Sequence, residues 1–245
     1  TLLAAPVLPA KRSRFRVSEL VVFAACPLKH YFQYELGLAP PGKAMGDSET
    51  PGEQEHELPG FGDEEVAASV RGAAIHRVLQ RWEPDADLAA LATEVAKQFA
   101  PSLKPDLLAA LTRFSTSRFA PLLAETPRRY RECPISMALN GWTLSAVLDA
   151  IAQDEGEYHL LEYKSLAPTP QGLERARAVY GLQVMTYALA TRKLFGTAPA
   201  SAQLYFTENG ATAEFPVDAD ALARTEQRLR LLLGQLANQS SKPRG

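Results

Sequence analysis

Between Leu148 and Lys164 stand residue types that can share one metal ion and one phosphate. An apolar run closes on Leu148-Asp149, a polar turn follows at Asp154-Glu155-Gly156, and a second run, His159-Leu160-Leu161, leads into Glu162-Tyr163-Lys164. If both runs are strands, a period of two sends Glu162 and Lys164 to one face and Tyr163 to the other. Two neighbouring carboxylates repel unless a divalent cation lies between them. An ammonium beside them then faces whatever that cation activates. The combination suits metal-dependent phosphodiester hydrolysis. Taken singly, Asp149 is better explained by a salt bridge to an Arg or Lys, Lys164 among them, and Glu-x-Lys is a common chance pattern.

Two further sets could join this site. His76 follows Arg71-Gly72-Ala73-Ala74-Ile75, with Gly72 one helical turn earlier on the same face, where it permits close backbone approach. A lone helical His is more often structural. Gln183 and Tyr187 are spaced i,i+4 in the apolar segment from Val179 to Ala190. Such a polar pair needs partners, either within the core or at the site.

The elements that must carry these residues follow from periodicity and turn chemistry. The spacing predicts an extended basic lead-in over 1–16, then a helix capped by Ser18 with Leu20 and Phe23 inward, interrupted at Pro27 and closed by Gly37. Leu28, Tyr31, Phe32 and Leu36 continue its apolar stripe. Residues 39–65 are rich in Pro, Gly, Asp and Glu and read as a loop. Helices are expected over 66–82 (with Val70, Ile75, Val78 and Leu79 inward), 88–100 and 107–120. Strands are expected over 129–139, 142–151 and 157–164, joined at Asn140-Gly141 and at Asp154-Glu155-Gly156. A long helix over 173–195, a hairpin at Asn209-Gly210 and a last helix over 219–236 complete an α/β core behind a helical part.

Bulk composition sets outer bounds. The 245 residues are 46% hydrophobic with a net charge of −2, which suits one large domain and argues mildly against a nucleic-acid binder, although Lys11–Arg16 and Arg128–Arg131 are locally basic. Two cysteines, Cys26 and Cys133, are too few for a disulfide scaffold and fit a reducing cytoplasm. No apolar run suits a membrane span or a signal peptide. The chain starts with Thr rather than Met, as a domain taken from a longer protein would. No phosphate-binding loop ending in Lys-Ser or Lys-Thr is present.

In order and spacing, these residues resemble the RecB-like branch of the PD-(D/E)xK nucleases, the type found at the end of AddB and related helicase–nucleases. The resemblance runs through Ser18-Glu19-Leu20, Cys26-Pro27, Tyr31-Phe32, Leu36-Gly37-Leu38, Gly72 and His76, Glu132, Leu148-Asp149, Glu162-Tyr163-Lys164, and Gln183 with Tyr187. It implies a restriction-endonuclease-like fold, a central mixed sheet flanked by helices. Residues 1–127 would form an N-terminal helical part, including the acidic loop 39–65 and the His76 helix. Residues 128–245 would form the nuclease core, the two making one compact domain. It implies His76, Asp149, Glu162 and the Tyr163 carbonyl as ligands of Mg²⁺ or Mn²⁺. Lys164 would orient and help deprotonate the attacking water, and Gln183 and Tyr187 would contact DNA or fix Lys164. DNA, single-stranded or with ends, would be the substrate, exonuclease action is favoured, and a helicase domain or subunit is the implied partner in repair or recombination. Some members hold an iron–sulfur cluster on four cysteines. Cys26 matches the early one, but no Cys follows Lys164, so no cluster is expected and Cys26 reads as a buried apolar residue. Ala150 stands where many relatives carry Arg, which puts a nearby DNA contact in doubt. The alternative is a non-catalytic DNA-binding or assembly module of the same fold.

Overall fold

Two turns with left-handed backbone set the register of the sheet. Asn140 (φ 50°) and Gly141 (φ 85°) form a two-residue hairpin turn whose twist matches its flanking strands. It pairs β2 (Arg128–Leu139) antiparallel with β3 (Trp142–Asp154), from Leu139 opposite Trp142 to Arg128 opposite Gln153. Glu155 (φ 48°) and Gly156 (φ 89°) repeat the device, pairing β3 with β4 (Glu157–Lys164) from Asp154–Glu157 back to Ala150–Leu161. The computed structural model describes residues 12–38 and 63–239.

A parallel neighbour for β4 needs a long crossover. Helix α7 (Pro170–Phe195) supplies it. It starts where Thr169 Oγ1 accepts the Gly172 N–H at 3.1 Å, with Pro170 in the first turn, and ends at left-handed Gly196. β5 (Ser201–Phe206) then pairs parallel with β4, and β6 (Thr212–Phe215) antiparallel with β5. Helix α8 (Ala219–Gln239) packs against α7. β2 runs along one edge of β3. The other edge is shared by β4 and by β1 (Arg14–Arg16), which pairs parallel with Thr143–Ser145.

Hydrophobic burial divides the two faces of this mixed sheet. One face packs Leu144, Leu148, Leu160 and Leu204 against α7, α8 and α1 (Val17–Ala25), so Phe15, Leu20 and Phe23 share a core with the sheet. The other packs Ala150, Ala152, Leu161 and Tyr205 against α3 (Asp63–Gln80), α4 (Leu88–Phe99), α5 (Lys104–Ser115) and α6 (Ala120–Glu125). Along α5, Leu107, Ala110, Leu111 and Phe114 repeat at i, i+3, i+4, i+7 and are all buried. The in–out alternation changes phase within β3. Leu144, Ala146 and Leu148 face the first core, whereas Ala150 and Ala152 face the second. Asp149 sits at that switch.

Several boundaries differ from the sequence expectation. The basic lead-in ends in β1, which runs straight into α1, so Arg16 occupies the cap position and Ser18 lies inside the helix. Pro27 restarts the chain as α2 (Pro27–His30), followed by one π-helical turn (Tyr31–Glu35) that Gly37 (φ 65°) closes. Cys26 is exposed rather than buried, because its thiol caps α2 by accepting the Lys29 N–H. Leu28, Tyr31, Phe32 and Leu36 are exposed, as is Val70. Residues 63–65 begin α3, and the rest of the expected acidic loop lies outside the described residues. The helix expected over 107–120 is two elements, α5 and α6.

A buried ion pair fixes the approach to β1. Glu19, only 1% exposed, accepts 2.6 Å bonds from both Nη atoms of Arg12, and its Oε1 lies 3.0 Å from His30 Nε2. Burial pushes the Glu19 carboxyl up, but the bonds from His30 and Arg12 outweigh it and hold it below the ordinary value. A carboxyl so lowered stabilises the fold above its unfolded value, and the contribution vanishes as pH falls through the folded one. Glu19→Gln is therefore expected to cost about 2–3 kcal/mol at neutral pH, the low end for a buried pair because Arg12 is 40% exposed. Urea unfolding of both proteins between about pH 7 and pH 3 should show that difference shrinking as the acid side is approached.

Candidate active site

Turn geometry brings three carboxylates to one level of the sheet. Counting outward from Asn140-Gly141 puts Glu132 opposite Asp149, between the pairs Arg131–Ala150 and Cys133–Leu148. Counting outward from Glu155-Gly156 puts Glu162 opposite Asp149 on the other edge, one step beyond Ala150–Leu161. Neither position completes its ladder pair. Glu132 is left-handed (φ 50°), an unusual state for a non-glycine strand residue. On the other side β4 parts from β3, and the Asp149 side chain fills in: Oδ2 accepts the Tyr163 N–H at 2.6 Å. Asp149 is 7% exposed and lies within β3, not at its end.

Helix α3 delivers His76 to the same point. His76 Nδ1 lies 3.1 Å from Asp149 Oδ1 and 3.9 Å from Glu132 Oε1. One ligand atom from each of His76, Glu132 and Asp149 falls within 4.8 Å of the others. Gly72, one turn before His76, is buried. The helix is held at its middle and at its C-terminal end. Arg71 pairs with Asp106 at 2.7 Å and with Glu208, while Arg131 donates to the carbonyls of Gln80 (3.3 Å), Trp82 (2.5 Å) and Leu123 (3.2 Å). The His76 ring meets Tyr163 edge-on at 5.9 Å. Burial first, and the Asp149 charge second, push the Tyr163 phenol far above its ordinary value, so its side chain is a neutral core group.

A second cluster adjoins the first across the Tyr163 backbone. Lys164 Nζ lies 3.0 Å from Glu162 Oε1, and Gln183 Nε2 donates to the same oxygen at 2.7 Å. Gln183 also donates to the Tyr187 hydroxyl at 2.8 Å. Glu162 and Lys164 are 5% and 2% exposed. The Lys164 carbonyl accepts the Thr207 N–H at 2.9 Å, which seats the lysine at the β4–β5 junction.

The expected residues thus lie in two abutting groups, His76 with Asp149, and Glu162 with Lys164, Gln183 and Tyr187. Glu132 completes the first group where Glu162 was expected as the third donor. Its signal was present in the register of the Asn140-Gly141 hairpin. One imidazole with hard carboxylate oxygens fits a divalent ion of the Mg²⁺ or Mn²⁺ kind.

The Asp149 contacts also reverse a simple electrostatic expectation. Repulsion between unneutralised carboxylates suggests that removing Asp149 would stabilise the metal-free protein. Here Asp149→Ala would strip the buried Tyr163 N–H of its acceptor and remove the carboxylate oxygen 3.1 Å from His76 Nδ1. The variant is expected to lose about 1–3 kcal/mol in metal-free urea unfolding. Equal or higher stability would show that the Tyr163 bond is not formed in solution.

No curated protein matches this sequence significantly. Among solved structures, the fold is similar to that of a candidate exonuclease from Eubacterium rectale, with TM-score 0.52 and 11% identity over 99% of this chain and 89% of that one. The structure of SSO0001 overlaps more weakly, with TM-score 0.32 and 17% identity over 69% of this chain and 86% of its own. By sequence, residues 14–245 match the family model of the PD-(D/E)XK nuclease superfamily, and the chain belongs to that superfamily.

Proposed function

We propose that this chain is a metal-dependent deoxyribonuclease whose reaction centre is the Glu132–Asp149–Glu162 level of the sheet. The observation that carries this reading is the junction of the two clusters. A His–Glu–Asp donor set lies on one side of the Tyr163 backbone, and a buried Glu162–Lys164 pair on the other. Mg²⁺ or Mn²⁺ held by His76, Glu132 and Asp149, with Glu162 and the Tyr163 carbonyl as the family resemblance implies, would acidify a water and neutralise charge on the phosphate.

The remaining work falls to side chains. Lys164, almost wholly buried beside Glu162, would meet the charge that develops on the scissile phosphate and orient the attacking water. Gln183, steadied by the Tyr187 hydroxyl, keeps Glu162 from following the ammonium. The order of His76, Asp149, Glu162-Tyr163-Lys164, Gln183 and Tyr187 supports the RecB-like branch, and with it a cytoplasmic role in repair or recombination beside a helicase domain or subunit. The same branch supports DNA with ends as substrate. The name of the Eubacterium rectale neighbour favours exonuclease over endonuclease action. The helical part and the α/β core are read as one nuclease domain, since the donor set draws on both.

End-labelled single- and double-stranded DNA with Mg²⁺ or Mn²⁺ tests this directly. The wild type should cleave, chelation should stop it, and Asp149→Ala should abolish cleavage while leaving DNA binding largely intact. Binding without cleavage in the wild type would point instead to a non-catalytic module. Lys164→Met should slow single-turnover cleavage by roughly two to four orders of magnitude, with calorimetric metal affinity little changed. A near wild-type rate in Lys164→Met would reduce the lysine to a salt-bridge partner of Glu162.

A further inference from the structure

The Lys164 ammonium has a second anchor on helix α7. Its Nζ stands over the ring of Tyr180, 4.9 Å from the centroid. Tyr180 precedes Gln183 by three residues and Tyr187 by seven, so one face of α7 presents all three to the end of β4. Gln183 addresses Glu162, Tyr187 addresses Gln183, and Tyr180 addresses the lysine. Tyr180 is 7% exposed and Lys164 2%, so water does not dilute this contact.

We propose that Tyr180 is the positioning residue for Lys164, holding the ammonium by its ring face at the angle that the phosphate requires. The inference rests on the nuclease reading of the site. Its chemistry is specific. A carboxylate that holds a lysine also competes for a metal ion and can accept the lysine's proton. A π face attracts the cation but does neither. Glu162 is shared between Lys164, Gln183 and the expected metal role, so its grip on the lysine changes with its own engagement. The ring's grip does not. Tyr180 thereby keeps Lys164 in place when Glu162 turns to other partners.

The ring face, not the hydroxyl, is the claim, and substitutions separate the two. Tyr180→Leu should lower the single-turnover cleavage rate about tenfold to thirtyfold, the rate equivalent of a desolvated cation–π contact, with DNA affinity unchanged. Tyr180→Phe should recover that loss. Phenylalanines of increasing fluorine content at position 180 keep the volume and drain the face, so the rate should fall stepwise along the series. That series also decides the matter if Tyr180→Leu does not fold. A readout independent of activity is the NMR signal of the Lys164 methylene next to Nζ. The ring should shift it upfield in the wild type and in Tyr180→Phe, and less so as fluorine is added. Were the wild type to cleave no DNA, the nuclease reading would fail, and this shift would still decide the contact. Wild-type cleavage in Tyr180→Leu, an equal loss in Tyr180→Phe, a flat fluorine series or an unshifted Lys164 signal would each overturn the proposal.

Discussion

The bond from the Tyr163 N–H to the Asp149 carboxylate lets one sheet serve two purposes. Strand β4 is paired with β3 only as far as Leu161, and from His159 onward it is paired with β5. Where a strand leaves its neighbour, a backbone N–H loses its acceptor, and a buried orphan of that kind is costly. Asp149 supplies the acceptor from a side chain. Its reach is longer than that of a carbonyl, so the two strands can separate while remaining tied. The same carboxylate faces His76 with its other oxygen, so the fork in the sheet and the helical layer meet at one group.

That arrangement concentrates negative charge, and the surrounding residues divide its compensation unevenly. Lys164 and Gln183 both serve one oxygen of Glu162. On the other side of the Tyr163 backbone, Glu132 and Asp149 have an imidazole between them, which carries a full positive charge only when protonated. The side with the weaker fixed cation is also the side that holds the His76–Glu132–Asp149 donor set. On the proposed reading, a site built this way would attract a divalent cation at one end while keeping its own ammonium at the other. A chain with a net charge of only −2 can still do this, because the field is set locally.

Much of this was legible before any coordinates. The two hairpin turns declare themselves through Asn140-Gly141 and Gly156, and the facing of Glu162 and Lys164 follows from strand period alone. Asp149 and His76 stood out as polar residues in apolar company. Glu132 was visible only as one piece of a motif, because its importance depends on register counted across a turn. β1 has three residues and pairs with a strand more than a hundred positions later, so no local period reveals it. Leu28, Tyr31, Phe32 and Leu36 show the opposite failure. A helical stripe identifies a face, but only tertiary contacts decide whether anything covers it. Cys26 reads as an ordinary small apolar residue until the Pro27 restart gives it a helix to cap.

The left-handed backbone of Glu132 sets stability and the proposed chemistry against each other at a single codon. Glycine adopts that conformation freely, whereas a residue with a Cβ holds it at roughly 1 kcal/mol or more. Selection for heat resistance alone would therefore drift toward glycine at position 132, and the same step would delete one carboxylate of the His76–Glu132–Asp149 set. A thermostabilised variant of this protein should be chosen with that position held fixed.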